Sequence, residues 1–358
     1  MSKKEINASP RLSVRHTVGW VLLSVLTAAL SISTVLHQTK EASFAQILDT
    51  MLEMKHFWLG AAVCCMLGFI FFEACAIRQA CNVLNVDCKA GRTIPYAAAD
   101  IYFSAITPSA SGGQPASAGA MIQDGIPAMK ATAVLILNLS MYSLSLVLIG
   151  LICMITRPGL LSCFGNFGQF LILFGCVVQV GLAFIFILLI RNEKALSLIG
   201  TKGIHLLKKL HLIRREEKLL ARFTGAMEQY KRCGLLFQER KRKLWKVLVF
   251  NFLQRVSQIA VAVCVYIGLG GGRLSAYDLW VLQSMVLIGS NFVPIPGGMG
   301  VTDYLMLNGF SSFLTPQQAV NLEMISRTLS FYCCILVCGL ILLGRYCMVL
   351  YQRKEHTP

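Results

Sequence analysis

Residues 107–115 read Thr-Pro-Ser-Ala-Ser-Gly-Gly-Gln-Pro, and residues 294–300 read Pro-Ile-Pro-Gly-Gly-Met-Gly. The stretches before them, Ala97–Ile106 and Leu279–Phe292, are too apolar for solvated loops. Proline removes a backbone donor and clashes with the preceding turn, and paired glycines allow a sharp reversal. The two regions that hold these motifs, 93–127 and 276–315, are therefore predicted to be hairpins of two half-length helices whose turns lie inside a membrane. Irregular backbone at that depth is tolerated only where it is buried in protein or lines a wet cavity.

The rest of the chain agrees. Of 358 residues, 56% are hydrophobic and 14% charged, with a mean hydropathy of +0.64. A soluble domain carries about 25% charged residues, so a soluble, secreted or disordered protein is excluded. The fold expected is an all-α polytopic membrane protein. Six stretches are apolar enough to cross about 30 Å of hydrocarbon: Thr17–Leu36, Phe57–Ile77, Ala128–Ile155, Phe167–Ile190, Val247–Leu269 and Ile325–Leu343. The first is too long for a signal-peptide core and is read as a retained span.

Lysine and arginine near span ends set orientation. The segment 191–246 holds sixteen Lys/Arg against five Asp/Glu, so eleven of the sixteen excess positive charges sit in one loop, expected to be cytoplasmic. Both termini fall on that side, in a multi-pass protein of the cell membrane. The chain is read as one membrane domain, 1–358, with a first half at 17–190 and a second at 247–345. Span, hairpin and span then occur twice with inverted orientation, the two Gly-Gly pairs lying 185 residues apart. Inverted repeats with broken segments in matching positions indicate a transporter whose site is near the midplane.

Half-helix ends turned inward offer free N–H groups and a positive dipole end, which suit phosphate. In the first hairpin the residues available are Ser109, Ser111, Gly112, Gly113 and Gln114; in the second, Pro296, Gly297, Gly298 and Gly300. The alternative is that these glycines serve helix packing alone. Ionisable residues inside spans are functional candidates. Asn251, Arg255 and Gln258 share one face of the fifth span, and Glu323 and Arg327 are four apart on the last. Arg255 and Arg327 either bind phosphate or form structural ion pairs. Glu73, Asp100, Asp278 and Asp303 suit a cationic headgroup or a coupled proton; for Asp100 and Asp278 a place at the membrane interface is the favoured alternative.

With TPSASGGQPA at 107–116, VPIPGGMG at 293–300 and a basic helical loop between the halves, the chain resembles the flippase domain of the lysylphosphatidylglycerol synthase/flippase family (multiple peptide resistance factor) from about residue 15 to 347. The resemblance implies movement of a phospholipid, such as an aminoacylated phosphatidylglycerol, between leaflets. It also implies that the aminoacyl-transferase domain of bifunctional members is absent from this chain. Relatives often carry Glu shortly after the second motif; here the acid is Asp303, one methylene shorter.

The segment 191–246 is expected to rest on an anionic membrane surface, its Leu219, Leu220, Phe223, Met227 and Tyr230 forming an apolar stripe between basic residues. A separate lipid-modifying synthase and a second copy of the chain are further partners the sequence permits; nucleic acid is not expected. An accessory subunit docking a lipid-modifying or glycosyl-transfer enzyme, and an intramembrane lipid enzyme, are the alternatives to a transporter. Enzyme chemistry is not expected, and no cofactor or metal is implied. Ser109 lacks a histidine inside any span to activate it. The presenilin-type motif fails because Val301 follows Gly-Met-Gly, and there is no Walker or His-Glu-x-x-His motif. The fourteen cysteines include no Cys-x-x-Cys and read as small packing residues.

Overall fold

A computed structural model describes residues 44–107, 110–191, 241–293, 295–298 and 300–355. The chain divides into two units, 1–46 and 47–358; the expected first span, Ser109 and most of the 191–246 loop lie outside the described residues. The elements are α1 (Phe44–Glu53), α2 (His56–Val83), α3 (Ala90–Ile106), α4 (Gly113–Gln123), α5 (Ala128–Thr156), α6 (Asn166–Arg191), α7 (Lys241–Gly268), α8 (Ala276–Ser290), α9 (Val301–Phe310), α10 (Pro316–Arg327) and α11 (Cys334–Glu355). Short 3-10 turns occupy Pro158–Cys163 and Pro296–Gly298, and a π turn, Thr328–Cys333, joins α10 to α11.

The protein is an all-α polytopic membrane protein. Five long apolar helices are present among the described residues: His56–Val83, Ala128–Thr156, Asn166–Ile185, Arg242–Gly268 and the continuous run Pro316–Val349. At 1.5 Å per residue the 28-residue α2 is about 42 Å long, ample for a crossing. Among the spans that exceed their expected limits, two do so for a clear local reason. Arg78 sits exposed on the surface of α2, so the helix continues to Val83. Thr315 caps α10 by accepting from the Gln318 N–H, and Pro316 fits the first turn, so the last helix starts nine residues before Ile325. Side chains such as Phe71, Phe170, Phe174, Phe184, Leu336 and Leu340 stay exposed on these helices, which suits faces turned to lipid.

Both expected hairpins are present. α3 and α4 form the first; at 11 residues α4 is only about 17 Å long and does not cross. α8 and α9 form the second. The order long helix, half-length pair, long helix thus occurs twice. Thr107, ahead of Pro108, is extended (φ −109°, ψ 146°), as a residue before proline should be. Its hydroxyl donates to the Phe103 carbonyl (2.6 Å) and accepts from the Gly112 N–H (2.9 Å), which closes the turn. In the second turn Gly297 has φ 61°, and a Cβ there would strike the Phe331 ring; only glycine combines that backbone with that contact.

Candidate functional site

The two turns face one cavity of about 590 Å³. Its walls come from α2, α3, α5, α6, α7, α8, both turns, and the junction of α10 with the π turn. Ala110, Ser111, Asn291 and Ile295 are exposed residues of its lining. The chemistry is concentrated on two arginines and two carboxyl groups in the lining, with two further carboxyl groups behind it, arranged unequally.

Arg327 is 7% exposed and is committed to the protein. It donates to the Asp303 carboxylate and to the Gly297 carbonyl (3.5 Å), and its Nε lies 3.9 Å from Glu323. Asp303 also accepts from the Gly300 N–H (2.8 Å), capping α9. The guanidinium lies 5.6 Å from the Phe331 ring centroid. The π turn that begins one residue later carries Ser330 and Phe331, which also line the cavity; such turns are frequent at functional sites. For Arg327 the structural ion pair is therefore realised, while its side chain still borders the cavity.

Arg255 is 6% exposed. It donates to Gln258 (2.6 Å) and Gln254 (3.3 Å) and lies over the rings of Tyr142 (4.4 Å) and Phe69 (5.1 Å). Among the described residues it has no carboxylate within 4 Å. Its nearest charged company is Glu73 and Asp100, both acting on it through space. Glu73 accepts from the Asn138 amide (2.7 Å), and Asn138 accepts from the Asn251 amide (3.0 Å). Asp100 accepts from Gln114 (2.9 Å) and Ser104 (3.4 Å). Tyr142 donates to Asn291 (2.6 Å), joining α5 to the second turn.

Of the residues singled out in the sequence, Glu73, Ser111, Gln114, Arg255, Gln258, Gly297, Gly298 and Arg327 line the cavity. Gly112, Gly113, Gly300, Asp303 and Glu323 stand behind it and shape the turns or hold Arg327. Asn251 is 0% exposed and reaches the cavity only through Asn138. Pro296 opens the 3-10 turn. Asp278 is at the surface, its carboxylate 2.8 Å from exposed Arg157. Asp100, by contrast, is buried in the cavity wall, because α4 folds back over α3. Asn138, Tyr142, Gln179, Gln283 and Ser326 also line the cavity and were not singled out. Asn138 and Tyr142, four apart in an apolar span, carried the one usable signal.

A polytopic helical protein with two broken hairpins around a cavity that holds buried charged groups is the class these features define. The chain matches, over residues 20–338, the family described as the lysylphosphatidylglycerol synthase TM region, and it belongs to that family. A curated relative, the UPF0104 membrane protein PH1989 of Pyrococcus horikoshii, is 24% identical over 129 residues, 36% of this chain and 38% of the relative. The match thus spans well under half the length of that relative.

Proposed function

We propose that the protein is a lipid flippase-type transporter, not an enzyme, and that its cargo is a phosphatidylglycerol-like phospholipid, anionic or aminoacylated. The observation that carries this reading is Arg255: a buried guanidinium in a membrane-embedded cavity, with no carboxylate in ion-pair range among the described residues. Glu73 and Asp100 act on it only through space, so the contact position is left to a phosphate oxygen, a partner that its planar fork accepts well. The acyl chains remain in lipid while the headgroup occupies the cavity. Family membership and the paired broken helices support the same reading. In it the two halves lie inverted in the cell membrane, both termini are cytoplasmic, and the basic 191–246 segment rests on anionic headgroups.

Reconstitution into liposomes with labelled phosphatidylglycerol and lysyl-phosphatidylglycerol tests it. Transbilayer movement above the level of empty liposomes, dependent on headgroup and lost in Arg255→Ala, is expected. Wild-type protein indistinguishable from empty liposomes with every lipid sinks the proposal.

A further inference from the structure

We propose that an anionic phospholipid moves through this cavity together with one proton, carried by the Glu73–Asp100 pair. The proposal rests on the flippase reading and adds the coupled ion. Both carboxyl groups line the cavity and are buried, Glu73 at 3% and Asp100 at 9% exposure. Their partners are the amides of Asn138 and Gln254 for Glu73, and the Gln114 amide and Ser104 hydroxyl for Asp100. All four are neutral. The second acid pair in the protein is treated differently: Asp303 and Glu323 both have Arg327 within ion-pair distance. One pair is a structural clamp. The other is held in place by neutral groups, with no cation in contact among the described residues.

Among the described residues, the charged and titratable groups facing Glu73 and Asp100 are few. Arg255 comes from α7 and Tyr142 from α5, and across the cavity stands Arg327 with its two acids. Charge balance then fixes the stoichiometry. With Arg255 cationic, the group of three is neutral when one carboxyl carries a proton. A phosphodiester monoanion settling on Arg255 brings one negative charge into a low-dielectric site, and neutrality is restored when the second carboxyl also takes a proton. The proton passes from water at one face to a carboxylate oxygen, forming an O–H bond, and returns to water at the other as the lipid leaves. Nothing is oxidised or reduced. A zwitterionic headgroup, whose ammonium supplies the positive charge, needs no such proton.

Liposomes holding the protein, with the membrane voltage clamped, test this by following labelled phosphatidylglycerol and phosphatidylethanolamine with and without a pH gradient. For one-to-one symport, a gradient of one pH unit shifts the leaflet distribution of phosphatidylglycerol by up to about tenfold, toward the alkaline side. Phosphatidylethanolamine should not respond. In the Glu73→Gln/Asp100→Asn double variant, checked for a monodisperse folded protein, the distribution ratio with and without the gradient falls to one, whereas either single variant keeps one carboxyl to take the proton and stays coupled. Wild-type movement of phosphatidylglycerol that ignores the gradient overturns the proton inference and leaves the flippase reading intact. If no lipid moves under any condition, the flippase reading fails. Whether the pair takes up a proton when phosphatidylglycerol binds is then decided by infrared spectra of wild-type protein in nanodiscs. A protonated-carboxyl band that grows on adding phosphatidylglycerol, and is missing from the double variant, supports it; no such band overturns it.

Discussion

Arg327 reaches from the end of α10 to Asp303 in the first turn of α9, and the same carboxylate caps that helix through the Gly300 N–H. One side chain thus ties the last span to the second re-entrant turn. Removing one partner of a largely buried ion pair leaves a charge uncompensated, at a cost of about 3–5 kcal/mol. Asp303→Asn and Arg327→Ala should each lower the thermal midpoint in detergent substantially. Because both break the same contact, the double variant should be far less destabilised than the sum of the two. Additive losses in a thermal unfolding scan would show that the clamp does not stabilise the fold.

Arg255 predicts the reverse pattern. Its guanidinium is held by Gln254 and Gln258 and by two aromatic faces, without an ion pair among the described residues. Arg255→Ala should leave the thermal midpoint unchanged or higher, while headgroup movement falls at least tenfold, about what the loss of a charge-assisted hydrogen bond implies. Arg255→Lys should not restore it, because an ammonium can neither stack on Tyr142 nor engage a phosphate bidentately. Transport assays on the two variants, beside their melting curves, check both halves.

How far the sequence revealed this site follows from which signals are local. The hairpins were legible because proline and glycine act on their own backbone: Pro108 sets Thr107, and Gly297 has the φ that the turn demands. The shared face of Arg255 and Gln258 follows from helical periodicity alone. Asp100 was not legible. Beside polar Thr107 and Ser104 it reads as an interfacial residue, and only the return of α4 over α3 encloses it. Glu73 looked terminal because the apolar run stops at Arg78, yet α2 runs ten residues past it, so the carboxyl lies well inside the helix. Asn138 was hidden among Ser140, Ser143 and Ser145, whose hydroxyls are common packing groups in membrane helices.

At the surface, Asp278 offers a pH-dependent contact outside the five long apolar helices. The Ser275 hydroxyl, with exposed Arg157 adding its charge, holds its carboxyl below the ordinary aspartate range. A depressed carboxyl stabilises the folded state above the unfolded-state value, and this is lost as pH falls through the folded-state value. Melting temperatures of wild type and Asp278→Asn should therefore differ modestly at neutral pH and converge in acid. The difference stays small because Arg157 is more than half exposed and solvent screens the pair. A gap that widens on acidification would contradict the assignment.

Two glycines of α4 separate packing from propensity. A Cβ at Gly113 would run into the Asp100 and Ser104 side chains, so Gly113→Ala cannot be accommodated while α3 and α4 stay in contact. The variant must open the hairpin or displace Asp100 from Gln114, and either change reshapes the cavity wall. Gly119, six residues along the same helix, has nothing within 4 Å of its Cβ position. There Gly119→Ala should only restrict the unfolded chain and favour the helix, a gain of about 0.5–1 kcal/mol. The expected outcome is a lower thermal midpoint and lost lipid movement for Gly113→Ala, against a raised midpoint and retained movement for Gly119→Ala. If both alanines behaved alike, the close approach of α4 to Asp100 would not be what builds this side of the cavity.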